Sequence, residues 1–138
     1  MVEVGILNRD IADAISYLGH MDEMIISDAG FPLPPGVRTI DISLAENKPL
    51  VTEFLEELLK YFSVEKVILA DEAKEKNPGY FNKVVGLCNA AEVETISHVE
   101  FKKRSHNVKV IIRTGDFTAW GNILLVSGSG DRWYKEKS

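Results

Sequence analysis

What the chain lacks narrows its chemistry first. Its 138 residues include one cysteine, Cys88, so neither a disulfide framework nor a paired-cysteine metal site can be built within it. Basic charge is in deficit. With 16 Lys and Arg against 21 Asp and Glu, the formal net charge is -5 at pH 7 and the pI about 5.2. Such a balance gives no general attraction toward phosphate backbones or anionic bilayers, which makes nucleic acid and membrane surfaces poor partners. No apolar run approaches the roughly 20 residues of a membrane span. Met1-Val2-Glu3-Val4 also lacks the basic and then apolar blocks of a secretory leader. The expected location is therefore the reducing cytoplasm. Missing too are the GxxxxGK[ST] and GxGxxG phosphate loops, the HExxH zinc helix and the GxSxG nucleophile turn. Neither a nucleotide, a metal nor another cofactor is expected.

What is present suits an ordinary soluble fold: 45% of residues are hydrophobic and 27% charged. A chain of this length fits one domain and can bury roughly two thirds of its unfolded surface without a covalent or metal staple. Asn8 is a good N-cap for a helix carrying Ile11, Ile15 and Leu18, with Gly19 as its C-cap. Met24-Ile25-Ile26 reads as a buried strand, three prolines between Phe31 and Gly36 enforce a stiff loop, and Val37 to Ile42 forms a weaker strand. Pro49 should open a helix bearing Leu50, Phe54, Leu58 and Phe62, followed by a strand over Val64 to Ala70. Residues 71–76 read as a solvated charged stretch, and Asn77-Pro78 starts another helix. Strands are expected over Val93 to Ser97, Val108 to Arg113 and Asn122 to Val126, with Thr114-Gly115-Asp116 as a turn. Ser127-Gly128-Ser129-Gly130 has linker composition, so residues 1–130 form the expected domain and 131–138 a mobile tail. Strands alternating with helices predict an α/β sheet covered on both faces.

Small ligands of open α/β sheets bind beyond the carboxyl ends of the strands. Asp28 and His98 fall there, with His20 near Asp28 in sequence. A histidine and a carboxylate brought together can pass a proton in either direction at neutral pH. Plainer roles remain open: a helix-terminal His20, an Asx turn at Asp28, a cap at His98. Cys88, inside the apolar pattern Val84-Val85-x-Leu87-Cys88, reads as a small buried hydrophobe, and His106 as a surface residue. Trp120 ahead of Gly121-Asn122 offers an aromatic face for the C–H side of a sugar and an amide for its hydroxyls, or else is a loop anchor.

Taken in order, Gly5-Ile6-Leu7-Asn8-Arg9-Asp10-Ile11, Leu18-Gly19-His20, Ser27-Asp28-Ala29-Gly30-Phe31-Pro32, His98 with Phe101-Lys102, Ile112-Arg113-Thr114-Gly115-Asp116 and Trp120-Gly121-Asn122-Ile123-Leu124-Leu125 resemble the D-ribose pyranase and L-fucose mutarotase family. The resemblance runs to about residue 128. It implies a three-layer α/β/α domain with a mostly parallel sheet, and a cofactor-free isomerase of small monosaccharides, D-ribose first. An L-fucose-type mutarotase and a non-catalytic sugar-binding or transport-accessory protein are the alternatives. It implies His20 as proton donor, with Asp28, His98, Trp120, Gly121 and Asn122 holding the sugar and Lys102 a lesser candidate. It further implies homo-oligomeric rings, a decamer of two stacked pentamers, whose sites lie at subunit junctions and receive the aromatic and Asn of the 120–122 segment from the adjacent subunit. Trp120 stands where the family carries Tyr, and the chain runs on through Asp131-Arg132-Trp133-Tyr134 past the usual family terminus.

Overall fold

A computed structural model describes residues 1–134 and 136 of the chain. The strands are β1 (Glu23–Ser27), β2 (Arg38–Asp41), β3 (Val64–Ala70), β4 (Glu92–Ile96), β5 (Val110–Arg113) and β6 (Ile123–Ser127). The helices are α1 (Arg9–Ser16), α2 (Val51–Leu59), α3 (Asp71–Lys76), α4 (Pro78–Leu87) and α5 (His98–Arg104), the last followed by a 3-10 turn over Ser105–Asn107. All six strands join one sheet in the order β2-β5-β1-β6-β3-β4.

Strand direction decides where a site can form. β2, β5 and β1 are mutually parallel, as are β3 and β4, whereas β6 lies antiparallel between β1 and β3. The sheet is thus mostly parallel, as expected, with one reversed central strand. Reversal brings the start of β6 to the edge where its neighbours end.

Alternation along the strands divides the core in two. Met24, Ile26, Val67, Leu69, Val110, Ile112, Ile123 and Leu125 face the side covered by α1, α2 and α4. Ile25, Ile68, Ile111, Leu124 and Val126 face the side covered by Phe31, Phe101 of α5 and Val108. Buried on both faces, these strands read as continuous apolar runs, and the three layers are the α/β/α arrangement.

Local chemistry sets the element ends. Asn8 caps α1 as expected, its Oδ1 accepting from the Asp10 and Ile11 N–H groups at 3.0 and 3.1 Å. The helix then stops at Ser16 with Tyr17 as C-cap, short of Gly19, whose N–H instead donates to Asp22 Oδ2 at 2.8 Å in the turn feeding β1. Pro49 lies outside α2, because its carbonyl accepts the Gly115 N–H and the helix begins two residues later at Val51. Residues 71–76 form the helix α3, on which Lys74, Glu75 and Lys76 are exposed, as expected of a solvated face, while Ala73 is fully buried. Cys88 is buried, which pushes its thiol pKa up to about 11. Of the expected tail, 131–134 carry no helix or strand, and 135, 137 and 138 lie outside the described residues.

Candidate active site

The carboxyl-terminal edge of the sheet collects polar groups from five elements. Asp28 follows β1, Thr114 to Asp116 follow β5, Asn122 precedes the reversed β6, Glu72 sits in α3 directly after β3, and His98 opens α5 after β4. Asp28 is fixed from both sides. Its N–H donates to Asn122 Oδ1 at 2.8 Å, and its own Oδ1 accepts the Gly30 N–H at 3.0 Å, the Asx turn that its sequence context allowed. Arg113 clamps that turn to the end of β2, donating from Nη2 to the Ala29 carbonyl at 3.0 Å and from Nη1 to Asp41 Oδ2 and Ser43 Oγ, both at 2.8 Å. A cleft of about 470 Å³ opens here, lined by Asp28, Gly30, Arg113, Asp116, Phe117 and Thr118. That is ample for a small ligand.

Electrostatics move the two titratable groups toward each other. Burial raises the Asp28 carboxyl above the usual carboxylate range and neighbouring Asp116 adds to the rise; the Gly30 and Phe31 N–H groups and His98 oppose it. Burial, then Lys102, lower the His98 imidazole, while Glu72 and Asp28 pull it back up. His98 is therefore neutral at neutral pH and Asp28 accepts a proton more readily than a surface carboxylate. The imidazole packs edge-on to Phe31 with centroids 6.4 Å apart and stacks on Phe101 at 6.5 Å. Its Nδ1 is buried without a hydrogen-bond partner among the described residues.

Glu72 anchors this histidine through the main chain. Its two carboxylate oxygens accept the His98 N–H at 2.9 and 3.3 Å, so α3 braces the first turn of α5 together with the Ser97 cap. Losing a cap of this kind costs about 1 kcal/mol. Glu72→Ala should therefore lower the thermal midpoint by a few degrees, and NMR titration should find the His98 pKa lower still, since a contribution that raises it is gone. An unmoved His98 titration would show that the carboxylate does not reach the imidazole.

The 120–122 segment follows directly on the cleft-lining residues 116–119. Trp120 is half-buried at a left-handed φ of 55° with Lys76 Nζ 4.9 Å above its ring. Tyr80 donates its hydroxyl to the Gly121 carbonyl, and burial together with Asp116 and Asp28 raises that phenol's pKa, so it stays a donor. Asn122 is 3% exposed and already spends Oδ1 on Asp28; it fixes the carboxylate's backbone within one chain. The segment expected to reach an adjacent subunit's site is thus bonded to Asp28 of its own subunit. Lys102 is exposed on α5 one turn beyond His98, and His106 is exposed.

His20 is the residue that the fold separates from the others. It precedes β1 and Asp28 follows it, so the five-residue strand alone puts about 16 Å between them. Around His20 the Met21 N–H donates to the Ser127 carbonyl at 2.7 Å, and Nε2 lies 3.4 Å from Glu65 Oε1. Residues close in sequence stand at opposite sheet edges. Arg113, Asp116, Tyr80 and Glu72 were not anticipated as parts of the site. The one available signal was an Asp after a strand whose neighbours are Thr and Gly, which reads equally well as a turn. Among the described residues no group of three or more His, Cys, Asp or Glu could hold a metal ion, and no helix is long and apolar enough to cross a membrane.

The chain is similar in sequence and in fold to known proteins. A D-ribose pyranase of Streptococcus uberis is 43% identical over 129 residues, covering 93% of this chain and 98% of the relative. The structure of Bacillus subtilis RbsD complexed with D-ribose superposes with a TM-score of 0.90 at 39% identity, over 94% of this chain and 99% of that one. A fucose mutarotase from Streptococcus pneumoniae in complex with L-fucose shares the fold, with a TM-score of 0.76 at 17% identity over 90% of this chain and 94% of that one. Since the model of the RbsD / FucU transport protein family also matches residues 1–129, this chain belongs to that family.

Proposed function

We propose that the protein is a D-ribose pyranase, an isomerase that interconverts the β-pyranose and β-furanose forms of D-ribose. The observation that carries this reading is the 43% identity to a D-ribose pyranase along 98% of its length. The cleft chemistry supports it. Opening the cyclic hemiacetal requires a proton delivered to the ring oxygen as the anomeric C–O bond breaks, while the anomeric hydroxyl loses its proton and becomes the aldehyde. Closure by a different hydroxyl reverses these transfers and changes the ring size. Positioned acid-base groups supply about 100-fold to 10,000-fold of such a rate.

In this reading Asp28 and His98 hold the sugar hydroxyls, Trp120 and Gly121 border the ring, and Asn122 orients Asp28. His20 is the proton donor. Because His20 stands at the far edge of its own sheet, it serves the cleft of a neighbouring copy, and the active form is a homo-oligomer: two stacked pentameric rings of the 1–130 unit, in the cytoplasm. Exchange NMR on the anomeric protons of D-ribose and L-fucose tests the assignment. Accelerated pyranose to furanose exchange on ribose is expected. Faster exchange of fucose anomers alone would move the protein to the mutarotase branch, and saturable ribose binding without faster exchange would make it a binding protein.

A further inference from the structure

The family match stops at residue 129, yet the following residues are tied to the body of the protein. Gly128 and Gly130 have the composition of a linker but the surroundings of a close contact. A Cβ on Gly128 would sit 2.5 Å from the Glu65 Cβ, and one on Gly130 would sit 2.7 Å from Ser63 Oγ. Glycine is needed here so that the backbone can lie against the entrance of β3. The Gly128 N–H donates to the Ser63 carbonyl at 3.3 Å, and the Trp133 N–H donates to the Gly130 carbonyl at 3.0 Å. This turn brings Trp133 back toward Ser127 to Ser129.

Trp133 arrives beside His20. The two residues line a pocket of about 350 Å³ together with Gly19, Ser127 and Ser129, and the Glu65 against which Gly128 is pressed is the carboxylate 3.4 Å from His20 Nε2. Trp133 is 70% exposed, so most of its indole surface is not spent on the protein's own core. An aromatic face with hydroxyls and an imidazole around it suits a monosaccharide, whose C–H face packs on the ring while its hydroxyls take the polar groups.

We propose that Trp133 is a specificity residue for the sugar substrate: its indole packs against the monosaccharide on the side where His20 delivers its proton. The inference rests on the role given to His20 above. It adds a second aromatic wall to the one that Trp120 supplies.

Trp133→Ala and Trp133→Phe, compared with wild type by ribose saturation of ring exchange, by ribose-dependent tryptophan fluorescence and by sedimentation, test it. Loss of one aromatic contact should raise KM for ribose roughly three- to tenfold with kcat little changed. Trp133→Phe should recover most of the affinity, and part of the ribose-induced fluorescence change should vanish in Trp133→Ala. An unchanged KM in Trp133→Ala, or a raised KM accompanied by a smaller assembly in sedimentation, would overturn the proposal; in the second case Trp133 holds subunits together. Absence of exchange in the wild type sinks the pyranase assignment instead, and the fluorescence comparison still decides whether ribose touches Trp133.

Discussion

His20→Ala should slow ribose ring exchange by about 100-fold to 10,000-fold, the usual contribution of a positioned acid-base group. Its stability should stay within about 0.5 kcal/mol of wild type, because the side chain is 64% exposed and its one polar contact among the described residues is the 3.4 Å approach to Glu65. A mixing experiment gives the change its meaning. If His20 acts across a junction, each working site draws His20 from one subunit and Asp28 from another. Dissociating and reassembling His20→Ala with Asp28→Asn should then regenerate roughly a quarter of wild-type activity, since half the subunits supply an intact His20 and half an intact Asp28. Were the two residues to act from one chain, no mixed assembly would contain a complete site and none would be active. Asp28→Asn suits this purpose because its Oδ1 can still accept the Gly30 N–H, so the turn survives while the carboxylate that holds the sugar does not.

The same pair shows where reading the sequence succeeds and where it stops. β3 occupies Val64–Ala70, the span its apolar run suggested, and Asn8 caps α1 for the reason its side chain suggested. These features depend on local chemistry, which the sequence carries directly. The direction of β6 does not. A strand buried on both faces is apolar throughout, whichever way it runs, so nothing in Ile123-Leu124-Leu125-Val126 announces its reversal between β1 and β3. Yet that reversal puts Asn122 beside Asp28. Sequence proximity misled at His20, because an extended strand between two residues separates them as far as the sheet allows. At Gly128 and Gly130 composition misled: glycine marks both a flexible linker and a backbone pressed against its neighbours, and the partners Glu65 and Ser63 lie about sixty residues away. At α3 a charged stretch was more than a wet surface, since Glu72 reaches a main-chain donor on the next βα connection.

Asp116→Ala should be the most destabilising change at the cleft, and the fold shows why. Asp116 is 2% exposed. Its Oδ2 accepts the Val51 N–H at the start of α2 at 2.9 Å, and its Oδ1 accepts the Thr118 N–H at 2.7 Å. Its carbonyl takes the Ala29 N–H at 2.9 Å, and its own N–H donates to Thr114 Oγ1, whose hydroxyl in turn holds the Ser27 carbonyl. One residue thus joins the exit of β1, the entry of α2 and the wall of the cleft. Removing the carboxylate leaves two inward N–H groups without acceptors, at about 1.5 to 3 kcal/mol each. The total is a large share of the 5 to 15 kcal/mol by which domains are ordinarily stable, and should lower the thermal midpoint by about 10 to 20 °C. Asp116→Asn keeps one acceptor oxygen and should fall between. Gly115→Ala attacks the same junction through the backbone, for its Cβ would lie 2.6 Å from the Lys48 carbonyl oxygen and closer still to that of Ala45. Thermal denaturation of the three variants separates the causes. A loss of less than 1 kcal/mol in Asp116→Ala would mean that water replaces the carboxylate; the loop over 117–119 could then move without α2, and the cleft wall would owe its position to Gly115 and its close backbone contacts instead.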